Sequence, residues 1–292
     1  MIKLMRAMEH MGALYAATQI FSESSAYAVG IEPDPDTGEK VVKVSLASEP
    51  PVTIGTLVSD CVHNLRQSLD HLAYRLAIEI SGSDPPPNEK TAGFPIHNSN
   101  NGFRSNLATK IGDPEKIPRP IIKALTKLQP YNSREGKHLA VLRDLDDRAK
   151  HRELPVCVGL LLPIEAGVVG DDVVLKSVRT GPLEVGETEV ARFETAKPEV
   201  EVEIWGRVKL GIVFGDDSPA AGQSVGEYLQ ATRTLLIEKV MKVLMPEHLR
   251  QHNGLTRAVR GTNRVQSSLG PRSGELTEPA STKKDKCELD HT

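Results

Sequence analysis

A long stripe of apolar side chains, spaced three or four residues apart, limits the possible folds of this chain more than any other sequence feature. The stripe lies within residues 53–81, and its members are Val58, Val62, Leu65, Leu69, Leu72 and Leu76. This spacing places all of them on one face of an α-helix, close to the seam of a helical bundle. Gly82 and the run Pro85-Pro86-Pro87 then end the helix. We therefore expect a long helix with one buried face.

The segments around this helix predict a protein of the α+β class. Helical periodicity predicts further helices at residues 2–24, 118–128, 134–151 and 225–244. Residues 87–112, which are polar and rich in Asn and Ser, are interpreted as a loop. Segments rich in β-branched residues predict strands, beginning with a hairpin, at residues 26–32, 40–47, 154–163, 173–178, 189–195 and 199–213. The expected architecture is a helical bundle of about five helices with a small antiparallel β-sheet.

These elements predict one α+β domain at residues 1–248. Its helical part comprises about residues 1–152 and 224–246, and its β-rich part about residues 154–215. Residues 249–292 are polar, rich in Gly, Ser and Thr, and nearly free of large apolar side chains. Because such a segment cannot offset the entropy lost on ordering, we expect a disordered polar tail.

Composition argues against several classes of protein. The net charge of −3 gives no overall attraction to nucleic acid or anionic lipid, so any RNA contact needs a local basic patch. Three scattered cysteines, Cys61, Cys157 and Cys287, argue against both a disulfide framework and a cysteine-rich zinc site. The first residues lack the uninterrupted apolar region of a signal peptide, and no apolar run is long enough to cross a bilayer. We expect a cytoplasmic protein that has no contact with membranes.

The face of the long helix opposite the apolar stripe has an unusual composition. It contains two imidazoles, two carboxylates, an amide and a phenol, with an arginine toward one flank: His63, His71, Asp60, Asp70, Gln67, Tyr74 and Arg66. These side chains titrate near neutrality or form directional hydrogen bonds, as catalytic groups do. A solvated polar face, or a polar contact between subunits, explains the same residues without any chemistry.

Part of this face resembles a known motif. The segment Arg66-Gln67-Ser68-Leu69-Asp70-His71 is similar to the Arg-x4-6-His motif of HEPN-type domains, helical bundles found in toxins and defence systems. Many HEPN members are metal-independent ribonucleases that act as dimers, which bring two such pairs together. The resemblance implies general acid/base catalysis by His71 and phosphate stabilisation by Arg66. In an enzyme of this kind, Asp70 or Asp146 would orient these side chains. Gln67 departs from the Asn, Asp or His common at that position, and a straight helix places Arg66 and His71 about 140° apart.

A broader resemblance extends over about residues 60–155. Four blocks are similar to those of a bacterial family of uncharacterised proteins: Asn64 to Leu72, Phe94-Pro95-Ile96, Leu128-Gln129-Pro130-Tyr131 and Lys150-His151-Arg152. This resemblance implies one continuous fold and supplies no activity.

The predicted helix at residues 134–151 contains a second set of polar residues. Asp146 falls within its apolar stripe, where an unpaired carboxylate is costly. Lys150 follows Asp146, and His151 follows Asp147, by one helical turn, so two ion pairs can form at the end of the helix. Alternatively, Asp146 crosses to the long helix and orients Arg66 or His71.

Two kinds of function follow from these observations. The first is metal-independent cleavage of RNA by Arg66 and His71, in a homodimer formed through the long helix. The second is a non-enzymatic ligand-binding or protein-interaction module whose polar helix face is structural. A metal site built from His63, Asp70, His71, Asp146 and His151 is conceivable but ranks below both, because no recognisable ligand spacing supports it. We expect no metal and no other cofactor.

Overall fold

A computed structural model describes residues 2–24, 26–160, 173–179, 181–195 and 210–245 of the chain. It confirms the predicted α+β class. The helices are α1 (Ile2–Glu23), α2 (Val52–Ser81), α3 (Asn100–Lys110), α4 (Arg119–Lys127), α5 (Arg134–Ala149), α6 (Val225–Leu235) and α7 (Lys242–Leu244). A π-helical segment, Leu236–Met241, joins α6 to α7 into the single helix that the sequence predicts. The predicted tail at residues 249–292 lies outside the described residues.

The long helix α2 lies at the centre of the helical part and packs against α1, α5 and α6. Its predicted apolar stripe is buried, with Val58, Val62, Leu65 and Leu69 fully inaccessible to solvent. Gly82 ends the helix in the left-handed conformation, with φ of 71°, and donates its backbone N–H to the carbonyl of Ile78. Glycine suits this position because it has no Cβ to oppose a positive φ.

The strands pair antiparallel in two sheets. They are β1 (Tyr27–Pro33), β2 (Lys40–Leu46), β3 (Val156–Leu160), β4 (Val173–Val178), β5 (Gly181–Pro182), β6 (Gly186–Thr195) and β7 (Leu210–Phe214). One sheet has the order β1-β2-β6-β4 and the other the order β5-β3-β7. The hairpin β1–β2 is confirmed. Of the strand predicted at residues 199–213, the structure describes the end, β7, whereas residues 199–209 lie outside the described residues.

The prediction of a loop throughout residues 87–112 is wrong, because α3 lies within it. Ser99 caps this helix by accepting a hydrogen bond of 3.1 Å from the backbone N–H of Gly102. Phe103 and Leu107, one turn apart, are buried and attach the helix to the core. The polar composition suggested a loop, but an N-terminal cap and two buried side chains are sufficient for a short helix in a packed context.

Candidate functional site

Arg66 and Asp70 of α2 together hold the backbone of Phe94. The Nη1 atom of Arg66 lies 2.8 Å from Oδ1 of Asp70, and its Nη2 atom donates to the Phe94 carbonyl at 3.2 Å. The backbone N–H of Phe94 donates to the same carboxylate oxygen at 2.9 Å. The side chains of Arg66 and Asp70 are only 14% and 25% exposed. The two polar residues therefore bind both the N–H and the C=O of one residue, Phe94.

Phe94 belongs to an extended stretch, residues 93–97, which we call the buried segment because residues 93–96 are shielded from solvent. Gln129, itself fully buried, donates to the carbonyl of Pro95 at 2.9 Å and accepts from the N–H of His97 at 3.0 Å. Arg143 of α5 donates to the carbonyl of Ile96 at 2.9 Å. Side chains thus satisfy backbone groups that no strand partner reaches, as buried peptide groups require.

His71 does not join Arg66. Its side chain is exposed, whereas the guanidinium of Arg66 points to the buried segment. Partial burial of the ring, followed by the nearby cations Lys3 and Arg75, lowers the pKa of His71 despite the opposing charge of Asp70. His71 is therefore mostly neutral near pH 7, but Arg66, the arginine of the motif, does not face it.

Asp146 of α5 forms a second polar contact with α2. It is 1% exposed, and its Oδ1 atom lies 2.9 Å from Nδ1 of His63, whereas its Oδ2 atom lies 2.8 Å from Nζ of Lys150. The prediction that Asp146 reaches α2 to orient Arg66 or His71 is wrong in its partner, because the carboxylate bonds to His63. The predicted pair between Asp146 and Lys150 is confirmed.

This contact fixes the imidazole of His63. Because a carboxylate only accepts hydrogen bonds, Nδ1 of the ring donates the proton, and Nε2 keeps its lone pair in the neutral tautomer. The side chain of His63 is 43% exposed. Burial disfavours the charge on Lys150, but its bonds to Asp146 and Asp147 outweigh this effect and raise its pKa. The arrangement resembles the carboxylate–histidine pairs in which a buried acid orients a base.

The remaining predicted site residues make no side-chain hydrogen bond within the described part of the chain. Gln67 and Tyr74 are half-buried on α2, and His151 is exposed beyond the end of α5. The predicted ion pair between His151 and Asp147 does not form. Instead, Nζ of Lys150 lies 3.2 Å from Oδ1 of Asp147. These residues therefore add nothing to either polar contact.

The sequence analysis missed the roles of Gln129 and Arg143. The blocks Phe94-Pro95-Ile96 and Leu128-Gln129-Pro130-Tyr131 were noticed for their resemblance, and in the structure they meet at the buried segment. The sequence did contain a signal for the role of Gln129, because this polar residue lies between Leu128 and Pro130 at the end of an apolar helix. It indicated a buried amide, but not the backbone groups that the amide binds.

Comparisons with protein-family models, with curated proteins and with solved structures find no match for this chain. Within the described residues, no group of three or more His, Cys, Asp or Glu side chains is placed to hold a metal ion. In the same part of the chain, no helix has both the length and the apolar character needed to cross a membrane.

Proposed function

We propose that this chain is a non-enzymatic protein-interaction module, in which the polar face of α2 stabilises the fold. The supporting observation is that Arg66 is already engaged in contacts within the fold. Its guanidinium is paired with Asp70, bonded to the carbonyl of Phe94, and 14% exposed. A phosphate-binding arginine needs free, parallel N–H donors and an uncompensated charge.

The partner residue of the Arg-x4-6-His motif supports the same proposal. His71 is exposed on a different side of α2, and no described side chain orients its ring. Catalysis by positioned groups requires that the acid/base and the phosphate-stabilising cation converge on one reacting atom. In a dimer that brought two copies of His71 together, Arg66 of each chain would still be bonded to the buried segment.

RNA cleavage remains a second candidate function, because His63 is an oriented and exposed imidazole. In such a reaction Nε2 of His63 would take the proton of a ribose 2′-hydroxyl. The resulting oxygen would attack the adjacent phosphorus, the bond to the 5′-oxygen would break, and the protonated imidazole would return its proton to that oxygen, giving a 2′,3′-cyclic phosphate and a 5′-hydroxyl. The ammonium group of Lys150 would lie near the phosphate charge.

Incubation of the purified chain with a mixed, end-labelled RNA pool in EDTA distinguishes the two functions. We expect no cleavage by the folded wild-type protein above that of the variants His63→Ala and His71→Ala. Cleavage that gives cyclic phosphate ends and is lost only in His63→Ala would replace our proposal with the second candidate. Loss only in His71→Ala would instead support the HEPN-type pair, and equal cleavage by all three proteins indicates a contaminating nuclease.

The cytoplasm is the compartment that we propose for this module. Cys61 and Cys157 are free thiols, and burial raises their pKa values to about 12 and about 11, so neither is reactive near neutral pH. Cys61 is buried and Cys157 partly buried, and unpaired, unreactive cysteines of this kind are typical of proteins from a reducing environment.

A further inference from the structure

A row of cations follows the exposed face of α4. Its members, Arg119, Lys123 and Lys127, are one helical turn apart, and all three are exposed. Leu125 on the opposite face is fully buried, so the row points to solvent. The whole stretch of residues 116–134 contains five Lys or Arg side chains and no Asp or Glu, although the net charge of the chain is −3. We call Arg119, Lys123 and Lys127 the basic row.

The basic row lacks counter-charges. Within the described residues, none of its three side chains forms an ion pair or a hydrogen bond. Like charges one helical turn apart repel, so Arg119 with Lys123, and Lys123 with Lys127, both destabilise α4. An exposed helix that only had to be soluble would gain stability from acids at some of these positions. A local conflict of this kind is typical of residues that serve binding rather than folding.

Further cations lie beside the end of the basic row. The short helix α7 packs against α4, and its first residue, Lys242, is exposed. Nζ of Lys239, in the π-helical segment before α7, lies 2.6 Å from Oε1 of Glu135 in α5. The hydrogen bond from Lys239 lowers the pKa of Glu135, and the charge of nearby Lys127 lowers it further. Lys127 and Lys239 therefore lie close to the same carboxylate, so the basic row continues onto this neighbouring surface.

The acids near these cations are outnumbered. Glu135 is already bonded to Lys239, and Glu238 lies 3.7 Å from Lys242 in a loose pair whose side chains are both exposed. Two more acids lie in the turn before α4: Asp113 and Glu115. They lie next to Lys116, which we therefore leave out. Five cations and two acids remain, so this surface has a local charge of +3.

The form of this surface suits a nucleic acid. The basic row rises by about 6 Å from one cation to the next, which is similar to the distance between neighbouring phosphates of one strand. A membrane-binding helix has large apolar side chains beside its cations. Those of α4 are buried or half-buried, and α7 exposes only Val243. The surface therefore offers charge to a phosphate backbone but little apolar anchorage to a lipid bilayer.

The sequence beyond the described residues favours the same ligand. Residues 248–274 contain five arginines and no acid: Arg250, Arg257, Arg260, Arg264 and Arg272. Basic segments without acids are typical of chains that bind nucleic acid. Two separate stretches of this chain thus carry cations without acids, which suits a long polyanion better than a single small anion.

We propose that the basic row, together with Lys239 and Lys242, binds the phosphate backbone of a nucleic acid. No aromatic residue belongs to α4 or α7, so these helices cannot stack bases, and binding should not depend on base sequence. Because counterions are released from the backbone, the affinity should fall steeply as the salt concentration rises. The contact goes beyond the proposed function, and it requires neither that function nor cleavage of RNA.

Fluorescence anisotropy of short labelled RNA and DNA strands, titrated with the full-length chain at several salt concentrations, tests this proposal. The wild-type protein should bind strands of unrelated sequence equally. The double variant Arg119→Glu/Lys123→Glu should bind at least about tenfold more weakly at low salt. It should also reduce the slope of log affinity against log salt by about 1.4, because two phosphate contacts are lost and each accounts for about 0.7 on a single strand. Folding should survive, since both side chains are exposed and glutamate is favourable at the start of a helix.

The matched control reverses the charge of two exposed cations elsewhere, Arg75 and Lys90. The variant Arg75→Glu/Lys90→Glu has the same net charge as the first variant, but it should bind like the wild-type protein. Far-UV circular dichroism verifies that both variants fold. The proposal is overturned if no strand binds at low salt, or if the two double variants bind equally well. Binding of anionic phospholipid vesicles by a chain that binds no oligonucleotide would overturn it too, and would assign this surface to a membrane.

Discussion

At the scale of single residues, Arg66 illustrates how one side chain can suggest catalysis in the sequence and have a structural role in the fold. Its neighbours are a carboxylate one turn along α2 and a carbonyl 28 residues away. We expect Arg66→Ala to lower the free energy of unfolding by about 2–4 kcal/mol, because it leaves Asp70 and the Phe94 carbonyl without their partner in a largely buried place. Urea denaturation followed by circular dichroism measures this change.

The exposed Arg75 on the same helix provides the control for this prediction. Arg75→Ala should change the stability by no more than about 0.5 kcal/mol, as surface substitutions usually do. A double-mutant cycle of Arg66→Ala with Asp70→Asn should be clearly non-additive, since the two side chains share one contact. An effect of Arg66→Ala as small as that of Arg75→Ala would contradict the structural role and return the arginine to the candidates for binding phosphate.

At the scale of elements, the start of α5 depends on the absence of a side chain. A Cβ atom on Gly136 would lie 2.1 Å from the carbonyl oxygen of Gln129, a contact that the backbone must move to relieve. Gly136 also donates its N–H to the capping side chain of Ser133 at 2.9 Å. The close approach of these two elements positions the amide of Gln129 against the buried segment.

We therefore expect Gly136→Ala to destabilise the protein by about 2–3 kcal/mol, as overpacking at a tight site does. Gly226→Ala is the control, because Gly226 is also in a helix but has open space around it. This second change should leave stability unchanged or raise it by up to about 1 kcal/mol, owing to the higher helix propensity of alanine. Thermal and urea unfolding of both variants measures the difference, and similar effects of the two changes would refute the tight approach.

The elements also differ in how well the sequence predicts them. The regular apolar spacing of α2 fixes the helix and its buried face, because periodicity depends only on neighbouring residues. The helix α3 could not be predicted in this way, because two buried side chains, Phe103 and Leu107, stabilise it rather than a long pattern. The buried segment has no apolar periodicity that could predict it, since its backbone is held by side chains that are distant in the sequence.

The same distinction applies to the candidate site. Helical spacing correctly separates Arg66 from His71 on the surface of α2, and the polarity of Asp146 within an apolar stripe correctly indicates a buried pair. The spacing of residues along a helix cannot show which other part of the chain packs against each face of that helix. Asp146 bonds to His63, and Arg66 bonds to Phe94, because of the way α5 and the buried segment pack against α2. Only the fold determines this packing.

At the scale of the whole molecule, partial burial affects several histidines in the same direction. Burial lowers the pKa of His138, His97 and His71, with smaller contributions from nearby cations such as Arg134 beside His138. Nε2 of His97 is buried and has no hydrogen-bond partner among the described residues, so a proton on it would be poorly solvated. The folded protein therefore binds protons on these rings less readily than the unfolded chain does.

The consequence is a loss of stability in mild acid. Because the folded-state pKa values lie below the ordinary value of about 6.5, the contribution of these rings is fully present above that pH and declines as pH falls through the folded-state values. Acidic groups with lowered pKa, such as Asp34 at about 2, act only at lower pH. We expect the free energy of unfolding to fall between pH 7.5 and 5, before the carboxylates contribute.

His138 allows this prediction to be tested at one position. Its Nε2 atom lies 2.7 Å from the hydroxyl oxygen of Thr232, which donates its own proton to the carbonyl of Tyr228, so the imidazole must donate through Nε2. Glutamine can donate in the same way but does not titrate. The stability of His138→Gln should therefore decline less between pH 7.5 and 5 than that of the wild-type protein, whereas the exposed control His151→Gln should follow the wild type. Equal declines in all three proteins, measured by urea unfolding at each pH, would show that protonation of His138 does not oppose folding.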